Sequence, residues 1–181
     1  MINSNNHIRK WYALYTRSRF EKVVAGELAL KNITAYLPLV KLLRQWSDRK
    51  KWTADPLIRG YVFALLGNQE MSAAMYTPGV VDFVKFNGVP AAIPDSQIQS
   101  LRLLLESGES YETAGRFFAL GERVIVTMGK LRGLTGELVQ YRGRRKVLLR
   151  IEAINQVFLA DVSTACIEKE NHSFSMATAM G

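Results

Sequence analysis

A run of closely spaced glycines near the C-terminus is the feature that most constrains the fold. Val124 and Val126 supply the alternating apolar residues that a strand needs. Gly129, Gly133 and Gly136 follow, and glycine permits tight backbone bends that bulkier residues resist. The segment therefore predicts two strands joined by a tight turn. The hairpin of any small β-barrel would fit the same pattern.

The residues around this segment carry only strand patterns. Val147, Leu149 and Ile151 alternate after a turn at Tyr141–Arg144, and further short apolar runs follow. About 50 residues of short strands separated by glycine turns are typical of a small barrel of the SH3 type.

The first half of the chain mixes strand and helix patterns. Ser18 and Glu21 have the spacing of a capping box, in which the Ser18 hydroxyl would accept from the Glu21 backbone N–H. The apolar positions that follow lie on one helical stripe. Strands interleaved with helices predict an α+β sandwich. The predicted elements are strands near Trp11–Tyr15, Ala35–Leu43, Tyr61–Leu66 and Val80–Phe86, and helices after Ser18, near Gln69–Tyr76 and after Pro94.

Two domains follow from these patterns. Residues 107–116 are small, polar and without periodicity, which predicts a linker between them. The expected boundaries are an α/β sandwich over residues 8–106, a small SH3-like β-barrel over 117–170 and a patternless tail over 171–181. The predicted fold class is α+β.

The positive charge of the chain is concentrated in its N-terminal part. The net charge is +8, of which residues 1–105 carry +7. Such an excess attracts polyanions, most plausibly nucleic acid, although a solvated basic surface without a ligand has the same composition.

Four blocks of the sequence resemble the NusG-type transcription elongation factors, and together they span most of the chain. The glycine-rich segment at 121–139 resembles that family's KOW motif. The other blocks are Trp11-Tyr-Ala-Leu-Tyr15 with Phe20-Glu-Lys22, Arg59-Gly-Tyr-Val-Phe63, and Thr77-Pro-Gly-Val-Val-Asp-Phe83 followed by Ile93-Pro-Asp95. The resemblance implies an N-terminal NGN domain and a C-terminal KOW barrel. Arg59 replaces a proline that is usual in the family. In this respect the sequence is more similar to the specialised RfaH-like and capsule-operon antiterminators.

The resemblance implies that the first domain binds the clamp helices of the largest RNA polymerase subunit. The matching positions are Tyr15, Tyr61, Phe63 and Phe83. Aromatic side chains suit an interface because they provide large apolar contact at low entropic cost. The alternative is that these four side chains fill the core.

The resemblance also implies contact with the exposed non-template DNA strand. The candidate residues beside the first helix are Arg17, Arg19 and Lys22, whose charges would neutralise phosphates. A second candidate is the basic turn with Arg44, Arg49, Lys50 and Lys51, flanked by Trp46 and Trp52. Basic and aromatic interleaving suits single strands, but a solvated hairpin tip has the same residues.

In housekeeping relatives the barrel binds a ribosomal protein or the termination factor Rho. Leu131 and Leu134 lie in the corresponding loop here, and the alternative is that they pack the turn. An RNA-binding or ribosome-associated KOW protein is a second possible function, with the basic residues Arg142, Arg144, Arg145 and Lys146 as its contacts.

Catalytic chemistry has little support in the sequence. The single cysteine, Cys166, and two histidines, His7 and His172, provide neither a zinc set nor a nucleophile pair. No cofactor or metal is therefore expected, and the chain is not expected to be an enzyme. No apolar run is long enough to span a membrane and no signal core begins the chain, so a cytoplasmic location is expected.

Overall fold

The computed structural model describes residues 8–45, 50–114 and 121–170. The chain divides into two compact units, Met1–Ile98 with Glu152–Ile154 and Gln99–Ile151 with Asn155–Gly181. A helix-and-sheet N-terminal part is followed by an all-β C-terminal part, which confirms the predicted fold class.

The N-terminal part has nine short strands and three α-helices among its described residues. In chain order they are β1 (Lys10–Thr16), α1 (Glu21–Leu30), β2 (Thr34–Tyr36), β3 (Leu39–Gln45), β4 (Lys50–Pro56), β5 (Tyr61–Leu66), α2 (Met71–Met75), β6 (Val80–Phe83), β7 (Lys85–Phe86), β8 (Val89–Pro90), β9 (Ala92–Ile93) and α3 (Asp95–Glu106). The last helix crosses from the first unit into the second.

An antiparallel sheet forms the centre of the first unit. Its strands run in the order β2-β5-β1-β6, and β9 also pairs with β1. Successive side chains of a strand point to opposite faces, so Val62, Ala64 and Leu66 of β5 share one face. That face joins a buried cluster with Leu14 of β1 and with residues of α1 and α2.

Two hairpins lie outside the central sheet. Strands β3 and β4 form a separate two-stranded ribbon in which Leu43 pairs with Trp52. Strands β7 and β8 form a tighter hairpin around Asn87 and Gly88, which have φ of 51° and 80°. Positive φ at both central residues matches the right-handed twist of hairpin strands.

The C-terminal part is a six-stranded antiparallel sheet. Its strands are β10 (Tyr111–Ala114), β11 (Glu122–Val126), β12 (Thr135–Tyr141), β13 (Arg144–Ile151), β14 (Gln156–Asp161) and β15 (Ile167–Lys169). They are ordered β10-β14-β13-β12-β11-β15. Strand β10 corrects the expectation that all of 107–116 is an unstructured linker, because four of its residues pair with β14. The other predicted domain boundaries stay predictions.

The glycine-rich segment connects β11 to β12 as the sequence predicts. Gly129 and Gly133 have φ of 81° and 93°, whereas Gly136 serves a different purpose. A Cβ at Gly136 would lie 2.6 Å from the carbonyl oxygen of Leu148 and 2.8 Å from Cγ1 of Val147. Strand β13 therefore approaches β12 so closely that only glycine fits.

A buried ion pair joins the same two strands. Glu137 on β12 accepts hydrogen bonds from Nε and Nη2 of Arg150 at 3.0 and 3.2 Å, and from the Gly121 N–H at 3.0 Å. Burial raises the pKa of Glu137, but these donors outweigh it and hold the pKa below its usual value.

Within the described residues, no helix is long and apolar enough to cross a bilayer.

Replacing Gly136 with alanine should destabilise the C-terminal sheet by about 1–3 kcal/mol, because the added methyl group has no space. Gly26 in α1 is the control: a Cβ there meets nothing within 4 Å, so Gly26→Ala should stabilise the helix by about 0.5–1 kcal/mol. Urea unfolding followed by amide NMR signals of β13 and of α1 measures both effects. Equal stability of Gly136→Ala and wild type would contradict the packing described.

The stability of the C-terminal sheet should fall in acid through Glu137. Its folded pKa is depressed, so its contribution is present above the unfolded pKa of about 4.3 and is lost as the pH falls through the folded value. In Glu137→Gln this acid-dependent component should disappear, and the sheet should already be weaker at neutral pH. The denaturant midpoint of the β13 signals, followed from about pH 7 to about pH 3, checks this.

Candidate functional site

Gly60 joins the end of β1, the start of α1 and the start of β5. Its carbonyl oxygen accepts the Thr16 N–H at 2.8 Å, and its own N–H donates to Oε1 of Glu21 at 2.7 Å. Glu21 is buried and uses its carboxylate for this bond. The predicted capping box is therefore wrong: α1 has no side-chain cap, and Glu21 bonds to a distant backbone group instead.

Two tyrosines flank this junction. Tyr15 and Tyr61 are directly opposite in the β1–β5 ladder, with ring centroids 5.6 Å apart. Tyr15 is 47% exposed and Tyr61 is half-buried. A Cβ at Gly60 would lie 3.3 Å from Cε2 of Tyr15, so the glycine also leaves room for the ring. The pair presents an aromatic surface to solvent.

A groove of 950 Å³ opens beside the tyrosines. Strand β1, the start of α1, strand β4 and the turn before β5 all contribute to it. Its lining residues are Tyr15, Thr16, Ser18, Arg19, Glu21, Lys22, Thr53, Asp55, Pro56, Arg59 and Gly60. The structure thus brings a predicted polymerase-contact residue together with two of the predicted DNA-contact residues.

The groove carries more positive than negative charge. Arg19, Lys22 and Arg59 are exposed, and the carboxylates in the lining are Asp55 and Glu21. The lining thus has three cations and two carboxylates, and Glu21 bonds to the Gly60 backbone. Arg17 is exposed next to the groove, but it is not part of the lining.

Phe63 and Phe83 are buried, which corrects the expectation that they provide contact surface. Phe63 has no exposed surface and stacks on Tyr36 at 6.2 Å between ring centroids. Phe83 belongs to the cluster under the helices and meets the Tyr12 ring edge-on at 6.0 Å. The core, which was the alternative for these positions, accounts for both side chains in this structure.

The basic residues of the β3–β4 ribbon do not line the groove, although Thr53, Asp55 and Pro56 of β4 do. Lys50 and Lys51 are exposed on β4, and Trp52 beside them is 66% exposed. Arg49 and Trp46 lie outside the described residues, as does the side chain of Arg44. None of the described cations of this ribbon lines the groove with Arg19.

The candidate residues of the C-terminal sheet divide into buried and exposed groups. Leu131 and Leu134 are buried, so the turn-packing alternative accounts for them and an exposed apolar contact does not. Among the basic residues, Arg142, Arg144 and Arg145 are exposed, whereas Lys146 is buried. Met128 is the exposed large apolar side chain of the glycine-rich turn.

Three exposed residues were missed by the sequence reasoning. Arg59 lines the groove from the turn before β5. In the sequence it differed from its surroundings only by replacing the proline that is usual in the family. Phe86 at the β7–β8 hairpin is 75% exposed, and Tyr76 after α2 is 83% exposed. The Asn87-Gly88 pair that follows Phe86 is a strong hairpin pattern, and it could have placed this aromatic at a tip.

Together these features define a binding protein with an aromatic and basic groove on its N-terminal unit. Comparison with known proteins agrees with that class. The family model described as "Transcription termination factor nusG" matches residues 9–102. The chain belongs to the NusG family, whose members are transcription elongation and termination factors and not enzymes.

Individual relatives are distant in sequence. The transcription termination/antitermination proteins NusG of Rickettsia bellii and Rickettsia felis are each 24% identical, over 83% and 82% of this chain and 86% and 85% of their own lengths. A solved structure of Thermotoga maritima NusG, described as showing domain interaction, is 22% identical with a TM-score of 0.43. It covers 90% of this chain and 98% of its own.

Replacing Glu21 with alanine should destabilise the first unit by about 1–3 kcal/mol, because the Gly60 N–H loses its acceptor. Glu21→Gln retains an acceptor oxygen and should lose clearly less. Glu27 of the same helix is the control, because the hydrogen bonds at the junction do not involve its half-buried side chain, and Glu27→Gln should be close to neutral. Thermal unfolding followed by tryptophan fluorescence, which reports on this unit, ranks the variants. Equal loss in Glu21→Gln and Glu21→Ala would contradict the role given to the bond.

Proposed function

We propose that this chain is an elongation and antitermination factor that binds RNA polymerase and the non-template DNA strand at the same time. The tyrosine pair contacts the clamp helices of the largest polymerase subunit. The cations of the groove contact the DNA. Bound in this way, the factor suppresses pausing or termination.

The observation that carries this proposal is the shared groove. Tyr15 lines the same groove as Arg19, Lys22 and Arg59, and all four residues belong to one compact unit. A protein surface and a displaced strand that lie next to each other can then be bound without any change in the unit. The tyrosines retain a polar hydroxyl beside an apolar ring, which suits the rim of a protein interface.

The DNA contact needs charge at the backbone and a surface for bases. Arg19 and Lys22 follow Tyr15 closely and are exposed, so each can neutralise a phosphate and release counterions. Arg17 adds a further cation next to the groove, and Lys50 and Lys51 extend the basic surface along β4. An exposed tyrosine ring provides a face on which a base can stack.

Suppression of pausing requires no covalent chemistry. A factor that binds the closed clamp better than the opened one shifts the equilibrium toward the closed state by its differential affinity. A tenfold preference corresponds to about 1.4 kcal/mol, which is enough to shorten the lifetime of a marginal pause.

Arg59 supports a factor that serves particular operons. It adds a cation to the groove at a position where the family usually has proline, so the DNA-facing surface differs from the housekeeping pattern.

The glycine-rich turn of the C-terminal sheet is proposed as the site for a ribosomal protein or Rho. There the exposed Met128, rather than Leu131 or Leu134, would provide the apolar contact.

A second candidate function is RNA binding by the C-terminal sheet. Arg142 lies over the Tyr141 ring at 5.0 Å, and Arg144 and Arg145 are exposed on the adjoining strand. This arrangement suits stacking and phosphate contact. Capture of polymerase subunits by the full chain supports the first function, and capture of ribosomal RNA alone supports the second.

Tyr15→Ala should weaken binding of the full chain to purified core polymerase by about tenfold or more, because an aromatic anchor is lost. Tyr76→Ala is the matched control, since Tyr76 is a more exposed aromatic of the same unit away from the groove.

Arg19→Gln with Lys22→Gln should reduce the salt dependence of single-stranded DNA binding, measured as the slope of log K against log salt concentration, by about 1.4. Lys10→Gln with Arg132→Gln removes the same charge elsewhere and should leave the slope nearly unchanged.

Pause lifetimes in a purified transcription assay complete the experiment. Wild type and Tyr76→Ala should shorten the pauses, and Tyr15→Ala should not. Unchanged pause lifetimes with saturating wild-type factor on a long template would refute the proposed function. Equal weakening by Tyr15→Ala and Tyr76→Ala would place the polymerase contact elsewhere.

A further inference from the structure

The linker strand, β10, occupies an edge that would otherwise be open. In the sheet order β10-β14-β13-β12-β11-β15, β14 has β13 on one side and only β10 on the other. The pairing is antiparallel and runs from Tyr111 opposite Ala160 to Ala114 opposite Val157. Without β10, the β14 backbone would present a row of unpaired N–H and C=O groups, which is a template for another strand.

A buried lysine makes this edge selective. The Nζ atom of Lys146 lies 2.5 Å from Oε1 of Glu112 on β10 and 3.2 Å from Oδ1 of Asp161 on β14. The hydrogen bond to Glu112 is the main reason that the pKa of Lys146 is raised. Arg142 lies 3.5 Å from the other Glu112 oxygen. A strand on this edge therefore has to bring an acidic side chain to the position of Glu112, because a buried ammonium group is costly without sufficient partners.

An aromatic contact specifies the neighbouring position. The Tyr111 ring meets the buried Phe158 ring edge-on, with centroids 6.1 Å apart. Tyr111 and Glu112 are consecutive in an extended strand, so they point to opposite faces of the sheet. The edge thus recognises a strand in which an aromatic residue is followed by an acidic one, and a ladder of backbone hydrogen bonds joins that strand to β14.

The linker strand is short and lies at the edge of the sheet. It is four residues long, and the Thr113 side chain is exposed. The residues that precede it are mostly small and polar. The ion pair of Glu109 with Lys130 joins side chains that are 40% and 71% exposed, and such a partly solvated pair contributes little to stability. Opening of such a segment costs much less than unfolding the central strands of a sheet.

We propose that the β14 edge with Lys146 is a docking site for an extended peptide of a protein partner, and that the linker strand is its exchangeable occupant. The partner segment carries an aromatic residue followed by an acidic residue and adds to the sheet as a strand. The chain's own strand competes at an effective concentration on the order of millimolar, as short linkers provide. Binding therefore exchanges one strand for another and leaves Lys146 paired.

The test uses the full chain and a fluorescein-labelled peptide with the sequence of residues 110–115, Ser-Tyr-Glu-Thr-Ala-Gly. Glu112→Lys places a like charge against Lys146 and should expel the linker strand. Fluorescence anisotropy should then show the peptide binding this variant at least about tenfold more tightly than wild type. Glu109→Lys has the same charge change outside the strand and should bind like wild type. A peptide with lysine in place of its glutamate should not bind Glu112→Lys.

Equal peptide affinity of Glu112→Lys and wild type would refute the proposal, as would binding of a labelled oligouridine by Glu112→Lys in place of the peptide. If the variant does not fold by circular dichroism, hydrogen exchange on the wild-type chain decides. The amides of Tyr111–Ala114 should exchange at least about tenfold faster than those of Val147–Ile151. Equally slow exchange would show that the linker strand does not leave the edge.

Discussion

The junction at Gly60 is the constraint on which the first unit depends. Both backbone polar groups of this residue are used, one by Thr16 at the end of β1 and the other by Glu21 at the start of α1. Its φ of 80° lies in the left-handed region, and the Tyr15 ring occupies the space beside its Cα. A side chain at this position would be strained by its backbone and crowded by the ring. One residue therefore fixes the relative positions of two strands and a helix.

The groove follows from this junction. The β1 strand ends at Thr16, and the chain turns through Arg19, which has a φ of 65°, before α1 begins at Glu21. Because Glu21 is directed inward to Gly60, its neighbours on either side of the helix start are directed to solvent. Arg19 and Lys22 are consequently exposed next to Tyr15. A buried carboxylate thus arranges the exposed cations around it.

The sequence predicted the three α-helices and strands β1, β2, β5 and β6 of the first unit in their order, but it missed β4, where it predicted a turn. It also did not predict which strand residues are covered by other elements. Alternation places Tyr61 and Phe63 of β5 on the same face, yet the first is half-buried and the second has no exposed surface. The difference depends on what lies over each end of the strand, and local periodicity carries no information about that. Packing between distant segments decided this position, as it did for Phe83.

Strand β10 and the start of α1 were mispredicted for a related reason. Both look like local features, a polar linker and a capping box, and both are determined by residues far away in the chain. Glu112 meets Lys146, and Glu21 meets Gly60, across separations of 34 and 39 residues. A segment with little apolar content gave no sign of a strand, because its stability comes from an ion cluster and one ring contact rather than from propensity.

The ion cluster also determines the register of this strand. A strand with a regular apolar pattern resists slipping because a one-residue shift turns its buried side chains outward. The linker strand has no such pattern. A shift by one residue would direct Glu112 to the face of Phe158 and leave Lys146 with Asp161 and without its shortest contact. The free-energy cost of leaving a buried ammonium group poorly paired therefore fixes the register that a hydrophobic pattern would otherwise fix. A single glutamate thus specifies both the face and the register of the strand.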